Sequence, residues 1–416
     1  MNASRHPAPP DHSATATGSD RAASIAVVVP EMLPVPPVLG GAVEQWVHEF
    51  TRRLAERTPP LAVISRPAGI AGPPGIEYLG VPWTATERFF YRLKERLNRR
   101  NPLRYLAKIQ NVWSYARRAT RCARAFDVVY LHNEPNILLF MPLRSEQRII
   151  LHMHNDHLTM RVFRPFYRHA LKKAHLVLFV SDYIRRRALA VFPEFADRFK
   201  TVLNATDPEL FTPGAASQES FPAGVDLGPP GGRILFVGRV TPIKGVHVLI
   251  KAFSGIRARF AQARLIIVGS SFFGEAVKTP YELELARLAE PLGDAVVFTG
   301  YVPQAALRSL YAACDVLVVP SIWQEPFGLV VLEAMASGTC VVASAVGGLP
   351  EIIEHRRTGI LIPAADVGAL AGAVCELLAD AGFRRRLEEA ARAAIERRFT
   401  WSRLIDEVDA LGGLSA

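Results

Sequence analysis

The feature that most constrains this chain is an alternation that runs twice. From residue 25 onward, short apolar stretches of strand length are separated by longer stretches with helical spacing, and after a break the pattern starts again. The first run offers strands at Ser24 to Val29, Leu61 to Ser65, Asp127 to His132, Arg148 to His152, Leu176 to Val180 and Lys200 to Leu203. The second offers Arg233 to Val237, Leu265 to Val268, Ala295 to Thr299, Val316 to Val319, Cys340 to Ala343 and Ile360 to Ile362. Between them, Pro208 to Gly232 turns to Pro, Gly, Ser and Ala and reads as a linker. Such alternation builds a mostly parallel sheet with helices on both faces, here expected twice in an α/β chain. With 416 residues, half of them hydrophobic, two cores can be filled. Two doubly wound domains would face one another across a cleft, with ligands beyond the carboxyl ends of the strands.

Cysteine use and charge narrow the setting. Cys122, Cys314, Cys340 and Cys375 lie far apart with no CxxC pair, which fits neither a disulfide framework nor a thiolate metal site and points to a reducing cytosol. The opening residues are small, polar and proline-bearing and read as a disordered leader over 1–23; no secretory or membrane-spanning run is expected. The net charge of +10 is concentrated: residues 85–126 hold twelve Arg and Lys against Glu87 and Glu95. Aromatic and aliphatic residues, among them Phe89, Tyr105 and Trp113, are interleaved with these charges. This composition suits the surface of an anionic membrane, or else a solvated helix pair whose aromatic face packs into the domain. No nucleic-acid recognition motif accompanies it, so nucleic acid is not an expected partner.

Two segments of the second half carry chemistry. The strand Arg233 to Val237 runs into GRVTPIKG, which presents Arg239 and Lys244 in a tight strand-to-helix loop. An arginine fork and a lysine point charge placed there suit a diphosphate, although two surface cations would look the same. The loop is neither a P-loop nor GxGxxG. In WQEPFGLVVLE, a helix is expected to begin near Phe327 and Gly328, with its free N–H groups and positive dipole end open to an anion. Glu325 falls just outside that terminus and Glu333 inside it; at ~1.5 Å of rise per residue the interval is on the order of 10 Å. That is the reach from a sugar ring across a diphosphate to a ribose, and a carboxylate accepts hydrogen bonds from vicinal hydroxyls. The alternative is a surface acid and a helix acid with no shared ligand.

These residues resemble a known family. FVGRVTPIKG, TGYVPQAALRSLYAACDVLVVPS, EPFGLVVLEAMASGTCVVAS and GGLPEII together are similar to the donor half of retaining glycosyltransferases of family 4, whose fold is GT-B, two Rossmann-like domains. The resemblance implies that Glu325 holds donor-sugar hydroxyls and Glu333 the ribose. It implies that Arg239, Lys244 and the backbone N–H groups of Phe327, Gly328 and Leu329 bind the diphosphate. The loop at Tyr301 and Val302 would meet the base through its backbone. In the first half, PVPPVLGGAVEQWV resembles the family's glycine loop, with Gly40 and Gly41 approaching phosphate or acceptor, and LHMHNDH places His154 where a histidine lines the donor-sugar site. His132, His152 and His157 compete for that role. YLHNEPN is expected on the acceptor side, and together with GSSFFGE it is similar to spore-coat and envelope-polysaccharide glycosyltransferases.

The resulting expectation is a retaining, metal-independent transferase. It would move a sugar from a nucleoside-diphosphate donor, a co-substrate and not a cofactor, to a saccharide or lipid-linked acceptor. No metal site is expected. The divisions would be 24–207 for the first domain, 208–232 for the linker, 233–395 for the donor domain and 396–416 for a last helix crossing back. The setting would be cytoplasmic, peripheral at the membrane if residues 85–126 attach. Rival readings are a nucleotide-sugar epimerase of the same architecture and a non-catalytic, basic membrane-binding protein.

Overall fold

The computed structural model describes residues 23–38, 41–57, 60–97, 101, 103–214, 221, 226–270 and 279–414. The expected leader up to residue 22, Gly40, most of the expected linker and residues 271–275 of GSSFFGE lie outside the described residues. Seven strands form the first sheet: β1 Ile25–Val28, β2 Leu61–Ser65, β3 Ile76–Gly80, β4 Val128–His132, β5 Arg148–Met153, β6 Leu176–Phe179 and β7 Phe199–Thr201. Six form the second: β8 Arg233–Val237, β9 Arg264–Val268, β10 Val296–Gly300, β11 Val316–Val319, β12 Cys340–Ser344 and β13 Ile360–Ile362. The orders are β3-β2-β1-β4-β5-β6-β7 and β10-β9-β8-β11-β12-β13, and every strand pair is parallel.

The period-2 geometry of a strand explains how each sheet serves two cores. In β1, Ile25 and Val27 join a cluster with Trp46, Val47 and Phe50 of the helix Ala42–Ala55. Ala26 and Val28 face the other way, onto Val112, Tyr115 and Ala116 of the helix Leu103–Ala123. One strand lies outside the sequence reading. β3 sits at the sheet edge, only partly buried, between glycines and prolines, so it lacks the continuous apolar run that marks the central strands.

The helix Trp401–Gly412 places Trp401, Leu404, Ile405 and Val408 in the first domain's cluster beside Trp46 and Phe50. The chain reaches it past Thr206, whose N–H donates to the Phe399 carbonyl at 2.8 Å. No helix among the described residues is long and apolar enough to cross a membrane.

Candidate functional site between the two sheets

In each sheet the strand order reverses once, between β1 and β4 in the first and between β8 and β11 in the second. Such switch points leave a crevice at the carboxyl ends of the strands. A cavity of about 780 Å³ lies between the domains and draws its walls from both crevices.

On the second domain, β8 leads to Arg239 and Lys244, and both line the cavity. Arg239 is exposed, and among the described residues its side chain has no partner. The Lys244 ammonium donates to Glu325 Oε1 at 2.5 Å, and the Ser321 hydroxyl donates to the same oxygen at 2.5 Å. Glu325 follows β11 and is 5% exposed. Its carboxylate lies behind Lys244, with Lys244 and Ser321 both on Oε1, and it is not among the residues that border the cavity.

The helix expected near Phe327 begins at Leu329, with Gly328 as its N-cap at φ 115°. Phe327 stays in the loop with its ring buried against Phe399, so only its backbone can meet a ligand. Leu329 and Glu333 line the cavity, as do Gly41, Tyr301 and Val302; Phe327 and Gly328 do not. Glu333 accepts a hydrogen bond from the Tyr311 hydroxyl at 2.8 Å. Burial pushes its carboxyl up to about 7, against the pull of Tyr311 and Arg308.

The loop carrying Glu325 is tied to the first domain. Ser181 Oγ donates to the Pro326 carbonyl at 2.6 Å. Glu351 accepts from the backbone N–H groups of Asp182 at 2.7 Å and Tyr183 at 2.6 Å, which open the helix Asp182–Leu189. A carboxylate at that end satisfies orphan donors and meets the positive end of the helix dipole. Nothing in the spacing of GGLPEII marks Glu351 for this role.

The first domain contributes the opposite wall. Glu31 follows β1 and Glu134 follows β4, so the two acids flank the switch point. Glu134 accepts from Lys108 Nζ at 3.3 Å and from the Asn136 amide. Glu31 is 3% exposed. Burial, reinforced by the nearby Glu134 charge, pushes its carboxyl up to about 7. The sequence reading missed Glu31 and took Lys108 for part of a surface charge run. The available signal was position: Glu31 comes just beyond the first strand, where doubly wound sheets place ligand-facing residues.

His154 is not among the residues that border the cavity. The Trp46 ring packs on it with centroids 4.7 Å apart, and its Nε2 pairs with His132 Nδ1 at 3.0 Å. Its backbone N–H donates to Asn133 Oδ1 at 3.1 Å. His157 lines the cavity instead. One nitrogen each from His132, His152 and His154 lie within 4.8 Å of one another. Burial holds all three well below the ordinary imidazole range, His154 at about 3, so they are neutral at pH 7. The i, i+2 spacing of His152 and His154 is the sequence signal for this cluster, and the parallel register sets His132 of β4 opposite His152 of β5.

The basic segment forms two helices, Ala85–Arg96 and Leu103–Ala123. Val112, Tyr115, Ala116 and Ala119 pack inward, and Glu87 is fully buried between Arg66 and Arg118. The outer face keeps Phe89 at 61%, Leu103 at 52% and Leu106 at 59% exposure. The exposed Arg88, Arg92, Arg117 and Arg121 belong to the same two helices.

The chain is similar to known proteins along most of its length. Residues 40–210 match the model of Glycosyltransferase Family 4, and residues 223–394 match that of Glycosyl transferases group 1. The chain is 31% identical over 289 residues to a phosphatidyl-myo-inositol mannosyltransferase of Mycobacterium leprae (strain TN), covering 68% of this chain and 72% of the relative. It is 26% identical over 393 residues to spore coat protein SA of Bacillus subtilis (strain 168), covering 92% of this chain and 97% of the relative. Among solved structures, Anabaena Alr3699/HepE in complex with UDP and glucose superposes with a TM-score of 0.68 at 21% identity, covering 92% of this chain and 98% of that one.

Proposed function

The chain belongs to glycosyltransferase family 4, and on that premise we propose that it transfers a sugar from a nucleoside-diphosphate donor to an acceptor hydroxyl with retention, in the synthesis of envelope polysaccharide or glycolipid. The observation that carries this reading is the second-domain wall, where Arg239, Lys244 and Glu333 line one cavity beside the start of the helix Leu329–Ala336. Departure of the nucleoside diphosphate builds negative charge on phosphate oxygens. Two cations and a helix terminus aimed at that charge stabilise it without a divalent metal. Glu333 in the cavity wall supplies acceptors for ribose hydroxyls, and Glu325, whose Oε2 is not the oxygen that Lys244 and Ser321 hold, supplies them for the sugar once the donor seats beside Lys244. That HepE was solved with UDP and glucose supports the donor class.

The test is a thermal-shift panel of UDP-glucose, GDP-mannose and ADP-glucose, in which one donor is expected to raise the melting temperature. The shift should be larger at pH 8 than at pH 6. Below about 7 the Glu333 carboxyl is protonated, whereas ribose hydroxyls donate to its ionised form. Without ligand the sign is opposite: the folded carboxyl titrates near 7 and the unfolded one near 4.5, so ionising it costs stability as pH rises between those values. A panel with no shift at either pH would sink the donor assignment.

Attachment to an anionic membrane surface belongs to the same proposal, supported by exposed Phe89, Leu103 and Leu106 in a segment with an excess of Arg and Lys. The catalytic cleft would then work at the lipid surface on the cytoplasmic side. Vesicles containing phosphatidylserine are expected to float the protein at low salt and release it at high salt. Flotation that is absent, or unmoved by salt, removes the membrane from the reading.

A further inference from the structure

The two walls of the cavity carry opposite charge, and this bears on the acceptor. On the second-domain side the charged lining residues are Arg239, Lys244 and Arg308 against Glu333. On the opposite side the acids are Glu31, Glu44, Glu49, Glu134 and Asp207. The bases there are Lys94 and Lys108, and each is already paired, with Glu95 at 3.2 Å and Glu134 at 3.3 Å. Arg53, outside the lining, neutralises Glu49 and Asp207. Glu31 and Glu44 form no side-chain ion pair among the described residues, although both are more than nine-tenths buried; each meets its own backbone N–H, and the Lys108 charge acts on Glu31 as well as on Glu134. Arg66 donates its Nε–H to the Glu31 backbone carbonyl and forms its ion pair with Glu87. A buried carboxylate without an ion pair still has lone pairs to fill, and a ligand that supplies hydrogen-bond donors lowers the cost of burying it.

We propose that this acidic wall is the acceptor subsite and that it takes a sugar or cyclitol ring bearing hydroxyls and no phosphate, with Glu31 and Glu134 accepting from those hydroxyls. Position supports the assignment. Glu31 and Glu134 occupy the switch point of the first sheet as Lys244 and Glu325 occupy that of the second. One crevice is built for the anionic leaving group, and the other faces it with acids. A phosphate on the accepting ring would meet Glu31 and Glu44, whose carboxyls burial already holds above their ordinary range, with no unpaired cation on that wall among the described residues. Asn133 and His157, also in the lining, add neutral hydrogen-bonding groups. The inference rests on the transferase reading above and sharpens it from any acceptor hydroxyl to one on an unphosphorylated ring.

The experiment follows release of nucleoside diphosphate from UDP-glucose, GDP-mannose or ADP-glucose with paired acceptors: glucose against glucose 6-phosphate, mannose against mannose 6-phosphate, and myo-inositol against its 1-phosphate. In at least one pair the neutral member is expected to be favoured by about tenfold or more in kcat/KM. Glu31→Gln and Glu134→Gln should pull that ratio toward one. Because the readout is a ratio within one protein sample, partial loss of folded protein cancels. Equal or better use of the phosphorylated member overturns the proposal. So does a ratio unmoved by both substitutions, or donor hydrolysis that no member of the panel accelerates. If none of the three donors is bound or hydrolysed, the transferase reading itself fails, and the acceptor assignment with it.

Discussion

Replacing Lys244 with alanine is expected to lower sugar transfer by roughly 10²–10³-fold, the loss typical of removing one preorganised charge-stabilising donor. Lys244 sits on the one-turn segment Pro242–Lys244, its ammonium 2.5 Å from a Glu325 oxygen that Ser321 also donates to. That contact fixes the ammonium before any ligand arrives, so little reorganisation remains for the reaction. Stability should fall as well, by about 1–3 kcal/mol, because a buried carboxylate loses its charged donor. The two effects separate on comparison of initial rates with urea midpoints. Lys244→Arg keeps the charge but brings a larger planar fork to a site fitted to a point charge, and should recover only part of the rate. An alanine variant that keeps its midpoint and full activity would remove Lys244 from the mechanism.

Gly347→Ala is expected to be strongly damaging to the site. Gly347 has φ +60°, and a Cβ there would stand 1.9 Å from the Glu325 carbonyl oxygen and 2.6 Å from its backbone nitrogen. Neither neighbour is a flexible side chain. The Gly347 N–H donates to Gln324 Oε1 and the Gly348 N–H to the Glu325 carbonyl, each at 2.8 Å, so the turn clamps the loop that presents Glu325. Left-handed strain and overpacking together should cost roughly 2–5 kcal/mol. The urea midpoint should drop, and any folded remainder should transfer poorly because Glu325 has moved. An unchanged midpoint would show that the turn relaxes freely and is not the clamp described.

The central strands were legible because burial on both faces leaves runs such as Val316–Val319 and Cys340–Ser344 almost wholly apolar. β3 was not, since a half-exposed edge strand between glycines needs no such run. The residues proposed for the donor were legible from spacing next to a strand end: Arg239, Lys244 and Glu333 all reach one cavity. Spacing says less about direction. It placed His154 and Glu325 near the cleft but could not show that Trp46 packs on the first or that Lys244 and Ser321 hold the second. Contacts of that kind join residues far apart in the chain, as Lys108 and Glu134 also do. Lys108 looked like one more charge on a basic helix, because periodicity gives the helix face and not what a distant strand brings against it.

Packing order and chain order disagree in this molecule. One side of the first sheet, with Val27, Val63, Tyr130 and Leu178, shares its cluster with Leu404, Ile405 and Val408. Those three residues are synthesised only after the whole second domain. On the ribosome, the first domain must therefore wait with part of an apolar face uncovered, screened mainly by the helix Ala42–Ala55. Its finished stability arrives with the closing segment, so nascent chains halted before Trp401 would carry an open hydrophobic seam that the released protein never displays.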